Sequence, residues 1–368
     1  MNVRHEPPEE RNAPRVVEIG GGGLFAYEFP DTTLRVWTNL HVDRSAEPRL
    51  TPWGFDNVAA AFRLVRSPDT DFIVWHQLAY APWDLSFVGR SLARLGWRAV
   101  PFLLKYLASF ALVLAARRPI VVIDTGDYMS VPRHTLWVMG RAVLTYKREL
   151  PSDRWRVLAG TLHRRQPARR MRRRAGLEAV LRRIRPMSLG ALVAPSPPLP
   201  MAPSEKTVDV FFAGETETNS TMRSDGVKEL EELRAQGLVV EVLRERLPLE
   251  EFYRRCARAW LVWSPEGNGW ECYRHYEALL CASVPLINRP WIMRHRPLQD
   301  GEHCVFYDPE PGGLVRAATA ALGDRQRLVA MAEAGRSFVL AHHTRTACCA
   351  HIMAELRAAR AGAGADAP

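Results

Sequence analysis

Residues 259–288 constrain the fold of this chain more than any other stretch. AWLVW at 259–263 is an unbroken apolar run and reads as a buried strand, and VPLIN at 284–288 reads as the next one. Between them Gly267, Asn268 and Gly269 make a loop whose backbone can lie against a ligand, followed by helical apolar spacing at Tyr276, Leu279 and Leu280. A strand, a glycine loop and a helix form an anion-binding arrangement, because the helix start offers unpaired N–H groups and the positive end of the macrodipole. Arg274 and Glu277 lie three apart on one helix face near that end. The guanidinium could fork onto diphosphate oxygens while the carboxylate accepts from a pair of sugar hydroxyls. The same spacing fits an intrahelical ion pair on a solvated surface equally well.

The run PEGNGWECYRHYEALLCASVPLI resembles the donor-binding motif of exostosin-type glycosyltransferases and of the related bacterial group-1 glycosyltransferase C-terminal domain. In that family a Gly-rich loop, an Arg and an E-A-L-x-x-G-x-[VI]-P-[VI] turn form the nucleotide-sugar site. Ser283 stands where the family has Gly or another small residue at the helix exit. The resemblance implies that Glu277 holds the ribose and Arg274 the diphosphate. AGRSFVLAHHTRTACCAHIMAEL resembles the closing helices of group-1 enzymes, which extends the likeness over most of 206–357. TYKREL at 145–150 resembles a segment in the N-terminal domain of bacterial exostosin-like proteins, with Lys147 and Arg148 facing an interdomain cleft. From the residues alone it is equally a cationic helix end or surface turn.

Apolar runs and helical stretches alternate on both sides of PSPPLPMAP at 195–203, where closely spaced prolines can continue neither a helix nor an interior strand. With 368 residues the chain can hold a core on each side. Strands are expected at 71–76, 120–124 and 155–159, then at 208–213, 239–243, 259–263, 284–288 and 304–307. Helices are expected at 58–65, 85–95 and 102–115, then at 222–236, 249–257, 314–322, 325–341 and 345–359. The expected architecture is α/β, two Rossmann-like domains facing a cleft in the GT-B arrangement. Its parts are an acceptor-side domain at 1–194, a linker at 195–205, a nucleotide-sugar domain at 206–345, and a terminal helix and disordered tail at 346–368. The apolar stretch at 100–116 is interrupted by Lys105 and short for a bilayer span, so it reads as a buried helix.

Ligands of parallel sheets gather beyond the carboxyl ends of the strands. His76, Asp124 and Asp127 follow strands there and are candidate bases for an acceptor hydroxyl. Gly214 could admit substrate closely, and Arg223 could reach a phosphate. His76, Asp124 and Asp127 are also residue types that cap helices or bond loops, and Arg223 also reads as a solvent-facing charge. Asp124-Thr125-Gly126-Asp127 is not a D-x-D motif, and no His, Cys or carboxylate cluster has metal spacing. The expectation is therefore a metal-independent glycosyltransferase without a cofactor. Its donor is UDP- or GDP-linked, its acceptor a saccharide or a lipid-linked hydroxyl, and its setting cell-surface polysaccharide or glycoconjugate synthesis. A nucleotide-sugar epimerase and a non-catalytic nucleotide- or nucleic-acid-binding protein are the competing readings.

A formal charge of +10 favours anionic partners. Much of it sits in the Arg-rich segment 163–185, where Leu177, Val180, Leu181 and Ile184 also form an apolar stripe. The stripe could rest on an anionic bilayer or dock on the protein itself. The segment lacks the interleaved aromatics of a nucleic-acid binder. Six cysteines without a C-x-x-C pair, and residues 1–15 without an apolar h-region, imply a cytoplasmic protein with at most peripheral contact at the inner face of the membrane. Gly20 to Gly23 precede strand-like segments at 24–29 and 34–38, so they read as a flexible turn and not a dinucleotide loop.

Overall fold

A computed structural model describes residues 13–36, 55–78, 80–81, 83–162, 175–190, 202–216, 220–244 and 247–365. The arginines at 164–174, the linker prolines at 195–200, positions 37–38 of the expected second strand-like run and the last three residues of the tail lie outside the described residues.

Largely apolar runs build the strands, several of which include a charged residue. The first half supplies β1 (Val16–Ile19), β2 (Thr33–Val36), β3 (Phe72–His76), β4 (Ile120–Asp124), β5 (Leu144–Lys147), the two-residue β6 (Leu150–Pro151) and β7 (Ile184–Pro186). All but β6 form one parallel sheet in the order β2-β1-β3-β4-β5-β7. The second half supplies β8 (Val208–Ala213), β9 (Val240–Leu243), β10 (Ala259–Trp263), β11 (Val284–Asn288), β12 (Ile292–Met293) and β13 (Val305–Tyr307). A second parallel sheet runs β13-β11-β10-β8-β9. Parallel strands need helical crossovers that cover both faces, and each sheet has a separate apolar core on either side. The expected class, α/β with two Rossmann-like domains, is the one observed.

A strand pair and a returning helix are among the features that join the halves. β6 pairs antiparallel with β12, Leu150 opposite Met293 and Pro151 opposite Ile292. The last helix, Arg345–Ala365, returns to the first sheet and buries Cys349, Ile352 and Leu356 against Phe25, Val74, Val121 and Ile123. Tyr146 on β5 donates to Glu355 at 2.7 Å, fixing the helix on that face.

Several local expectations are corrected. Residues 155–159 are not a strand: Asp153 accepts from Trp155 N at 3.1 Å and starts a 3-10 helix, Arg154–Leu158, which buries Val157 and Leu158. TYKREL is neither a surface turn nor a helix end, since it is the central strand β5 followed by β6. Residues 24–29 contain a short helix, Phe25–Glu28. Val180, Leu181 and Ile184 are buried in the first core, so this stripe is docked on the protein. The helix covering 100–116, Ala99–Ala115, is not buried all round, because Val100, Leu104, Leu107 and Leu114 are exposed. The left-handed residue at the exit of the helix Arg274–Leu280 is Ala282, with φ 54°, and not Ser283. Ser283 instead donates to Ala259 O at 2.7 Å.

Candidate functional site

The glycine loop after β10 is braced from several directions. His275 stands inside the following helix and ties both ends of the loop, with Nδ1 2.7 Å from Ser264 Oγ and Nε2 3.1 Å from Trp270 O. Burial pushes its pKa down to about 3, so the ring is neutral and rigidly bonded. Glu266 N donates to Asn288 Oδ1 at 2.9 Å, and the Glu266 carboxylate takes bonds from Asn288 Nδ2 and Trp291 Nε1. The loop is therefore held in shape by β11 and its continuation.

Two N–H groups at the end of the glycine loop, just ahead of the helix that begins at Arg274, already have a partner, while the helix start itself carries no side-chain cap. Glu149, from the first half, accepts from Trp270 N and Glu271 N, both at 3.0 Å, across the junction of the halves. An added Cβ on Gly269 would lie 2.6 Å from Glu149 Oε1, so glycine is what lets this carboxylate approach. Arg148 donates to Glu149 at 3.2 Å and pairs with Asp127. Asn268 reaches Asp127 at 3.5 Å. Burial raises the Glu149 carboxyl above the usual range against the pull of those N–H groups and Arg148.

Anion-binding capacity lies one step away, at Arg274. Its Nη2 donates to Ala213 O at 2.8 Å at the carboxyl end of β8, and its guanidinium lies over the Phe212 ring. Nε and Nη1 are buried without a hydrogen-bond partner. A buried guanidinium left with open donors is costly and is best satisfied by an anion. Arg223 is close by, donating to Glu266 O at 3.0 Å and Glu215 O at 3.1 Å. Its pKa is lowered by burial and then by the charge of the nearby Arg274. Gly214 and Gly267 adjoin the two cations: an added Cβ would lie 3.0 Å from Arg274 Nη2 and 2.7 Å from Arg223 Nη2 respectively. Glu277, 7% exposed, sits below with its pKa raised to about 7 by burial against the opposing charge of Arg274 and a hydrogen bond with Tyr253. It is not on a solvated surface. Gly214, Arg223, Gly267, Arg274 and Glu277 are thus brought together, with Asn268 and Gly269 on the side facing the first half.

The three candidate bases fare differently. His76 is buried with Nε2 2.6 Å from Glu18. Gly20 to Gly23 wrap around it, and an added Cβ on Gly22 would fall onto its ring. The expected flexible turn is thus a closed, bonded loop. Asp124 is fully buried, paired with Lys147 Nζ at 2.7 Å and accepting from Gly126 N at 2.9 Å. Lys147 is equally buried and does not face the cleft. Neither His76 nor Asp124 is open to an acceptor. Asp127, with 42% of its side chain exposed, is the one of the three at the surface beside the glycine loop.

Sequence reasoning passed over Glu149, Glu18 and Glu271. Glu271 is buried, with its pKa raised to about 7 by burial, and it accepts from Tyr276 Oη and from Leu189 N at 3.0 Å. The signal for Glu149 was its place in the TYKREL segment; for Glu18 it was an acid inside the apolar run VVEI. Among the described residues no group of three or more His, Cys, Asp or Glu could hold a metal ion.

No family model matches the sequence, and no curated protein matches it either. Solved structures do match in fold. Anabaena HepE in complex with UDP shares 14% identity at a TM-score of 0.50, covering 94% of this chain and 100% of that one. An alpha-glucosyltransferase in complex with UDP and a 13-mer DNA shares 10% identity at 0.53, covering 92% and 98%. The alpha,alpha-trehalose 6-phosphate synthase of Burkholderia multivorans shares 11% identity at 0.52, covering 96% and 98%. At such identities the likeness establishes the two-domain GT-B fold over nearly the whole chain.

Proposed function

We propose that this chain transfers a sugar from a nucleoside diphosphate sugar, with UDP the first candidate nucleotide, to an acceptor hydroxyl on a saccharide or a lipid-linked carrier. One observation carries the reading: two guanidinium groups stand near one another against Gly214 and Gly267, and one of them has buried N–H groups with no partner. A diphosphate supplies the charge and the acceptors that Arg274 lacks. Arg223 shares the load, and both cations oppose the charge that develops on the leaving diphosphate. Glu277 accepts from ribose hydroxyls, and Asp127 is the carboxylate placed to meet an acceptor. Two solved neighbours bound to UDP support the choice of nucleotide.

The test is a thermal-shift series with UDP, GDP, ADP and dTDP and their sugars. One diphosphate should raise Tm selectively; at a hundredfold excess over Kd the stabilisation is about 2.7 kcal/mol. Arg274→Ala should weaken that binding by roughly 10–100-fold, the size of a lost charge-assisted contact. If no diphosphate shifts the protein, or if the variant binds as well as the parent, the reading fails.

A further inference from the structure

The chain reverses at 96–98 to make a helical hairpin, Leu85–Leu95 and Ala99–Ala115, whose outer surface is apolar. Its inner side is well packed: Phe87 meets Tyr106, and Trp83 and Trp75 both meet Phe110. On the second helix Val100, Leu104, Leu107 and Leu114 fall on one face at spacings of three, four and seven, and all are exposed. Leu85 is 85% exposed on the first helix, and Trp97 is 78% exposed at the reversal. Isolated apolar residues at a surface need no explanation, but a continuous stripe flanked by tryptophans does.

Charge narrows the choice of partner. Residues 85–118 contain Arg90, Arg94, Arg98, Lys105, Arg117 and Arg118 and no acid. Arg90 and Arg94 are exposed on the first helix of the hairpin. A second copy docked face to face would bring these like charges together. An anionic bilayer surface accepts both features, apolar side chains at the acyl boundary and arginines among the headgroups. Tryptophan at the turn suits that boundary, where an amphipathic ring is favoured. No described helix is long and apolar enough to cross a membrane, so the fit is to a surface. Phe110 packs on Trp75 of β3, and the eleven helical residues before it span roughly 16 Å toward the tip at 1.5 Å per residue.

We infer that the 85–115 hairpin seats the protein on an anionic lipid surface, through Trp97, Val100, Leu104 and Leu107 with Arg90 and Arg94 at the rim. This rests on exposure and charge and stands apart from the sugar-transfer reading. The test is flotation of the full chain with vesicles of phosphatidylcholine alone and with added phosphatidylglycerol. Binding is expected to the anionic vesicles and to weaken with salt. The combined variant Trp97→Ala, Leu104→Glu, Leu107→Glu should lower it by at least about tenfold. So should Arg90→Glu with Arg94→Glu, whose exposed side chains keep the fold out of question. Absence of flotation with anionic vesicles, or unchanged flotation in the arginine variant, overturns the inference. A light-scattering change from dimer to monomer in the apolar variant, with flotation intact, would assign the face to a second copy instead.

Discussion

The molecule contains two glycine loops that follow a parallel strand and lead into a short helix, and each has its N–H groups capped by a glutamate. At Gly20 to Gly23 the acid is Glu18, on the strand just before the loop, accepting from Leu24, Phe25 and Ala26 N–H at 2.7–3.3 Å and bonded to His76. At Gly267 to Gly269 the acid is Glu149, brought from the other half of the protein. The first device closes on itself, with the acid, the histidine and the N–H groups it binds all in the first half. The second makes the shape of the loop depend on how the halves meet, while the nearby Arg274 keeps its donors open. Capping from within a domain makes structure, whereas capping across a junction lets position and binding become coupled.

The contrast can be broken most directly at the two acids. Glu18→Ala leaves three N–H groups and a buried histidine unpartnered and should cost about 3–5 kcal/mol in denaturant unfolding. Glu149→Ala should cost less, about 1–3 kcal/mol, but unlike Glu18→Ala it should alter nucleotide affinity in the folded protein. Equal losses of stability with no change in binding would erase the distinction.

A second probe is pH. Glu271, adjoining the second loop, has its pKa raised from 4.5 to about 7 by burial. Folded protein therefore holds this proton more tightly than unfolded chain, so stability falls as pH rises from about 4.5 through 7, and the penalty is complete above 7. At about 1.4 kcal/mol per unit the difference is roughly 3–4 kcal/mol, and unfolding curves of Glu271→Gln should lack that decline. Burial raises Glu277 in the same direction, so part of the decline should remain in that variant.

The smallest expected difference concerns the glycines. Gly22→Ala meets a His76 ring pinned by Glu18, and should cost about 1–3 kcal/mol by overpacking. Gly269→Ala meets the Glu149 carboxyl, itself held by Trp270 N, Glu271 N and Arg148, so its thermal cost should be of similar size, about 1–3 kcal/mol, with a change in nucleotide affinity that Gly22→Ala lacks.

How much of this was readable beforehand follows the same division. In the second half the helix Leu249–Ala257 and the strands β10 and β11 fall where the residue pattern puts them, because a strand covered on both faces is simply an apolar run. β5 was hidden because it carries Thr145 and Lys147, and a lysine can be central only when Asp124 waits for it on the next strand. That pairing spans 23 residues and no local spacing reveals it. Glu149 was hidden for a stronger version of the same reason, since its acceptors serve N–H groups 121 and 122 residues away. The residues that gather around Arg274 come from loops after β8 and β10, which pattern could place at one sheet edge. The unpaired nitrogens of Arg274 could not be seen without its surroundings.

The returning helix Arg345–Ala365 has a consequence for how the chain is made. During synthesis the first sheet leaves the ribosome with one face bare, since the side chains that will cover Phe25, Val74 and Val121 are translated much later. The early half must wait, greasy and incomplete, through some two hundred residues of further elongation, roughly ten to forty seconds at bacterial or eukaryotic rates. A helper that shields nascent chains would find its natural foothold there.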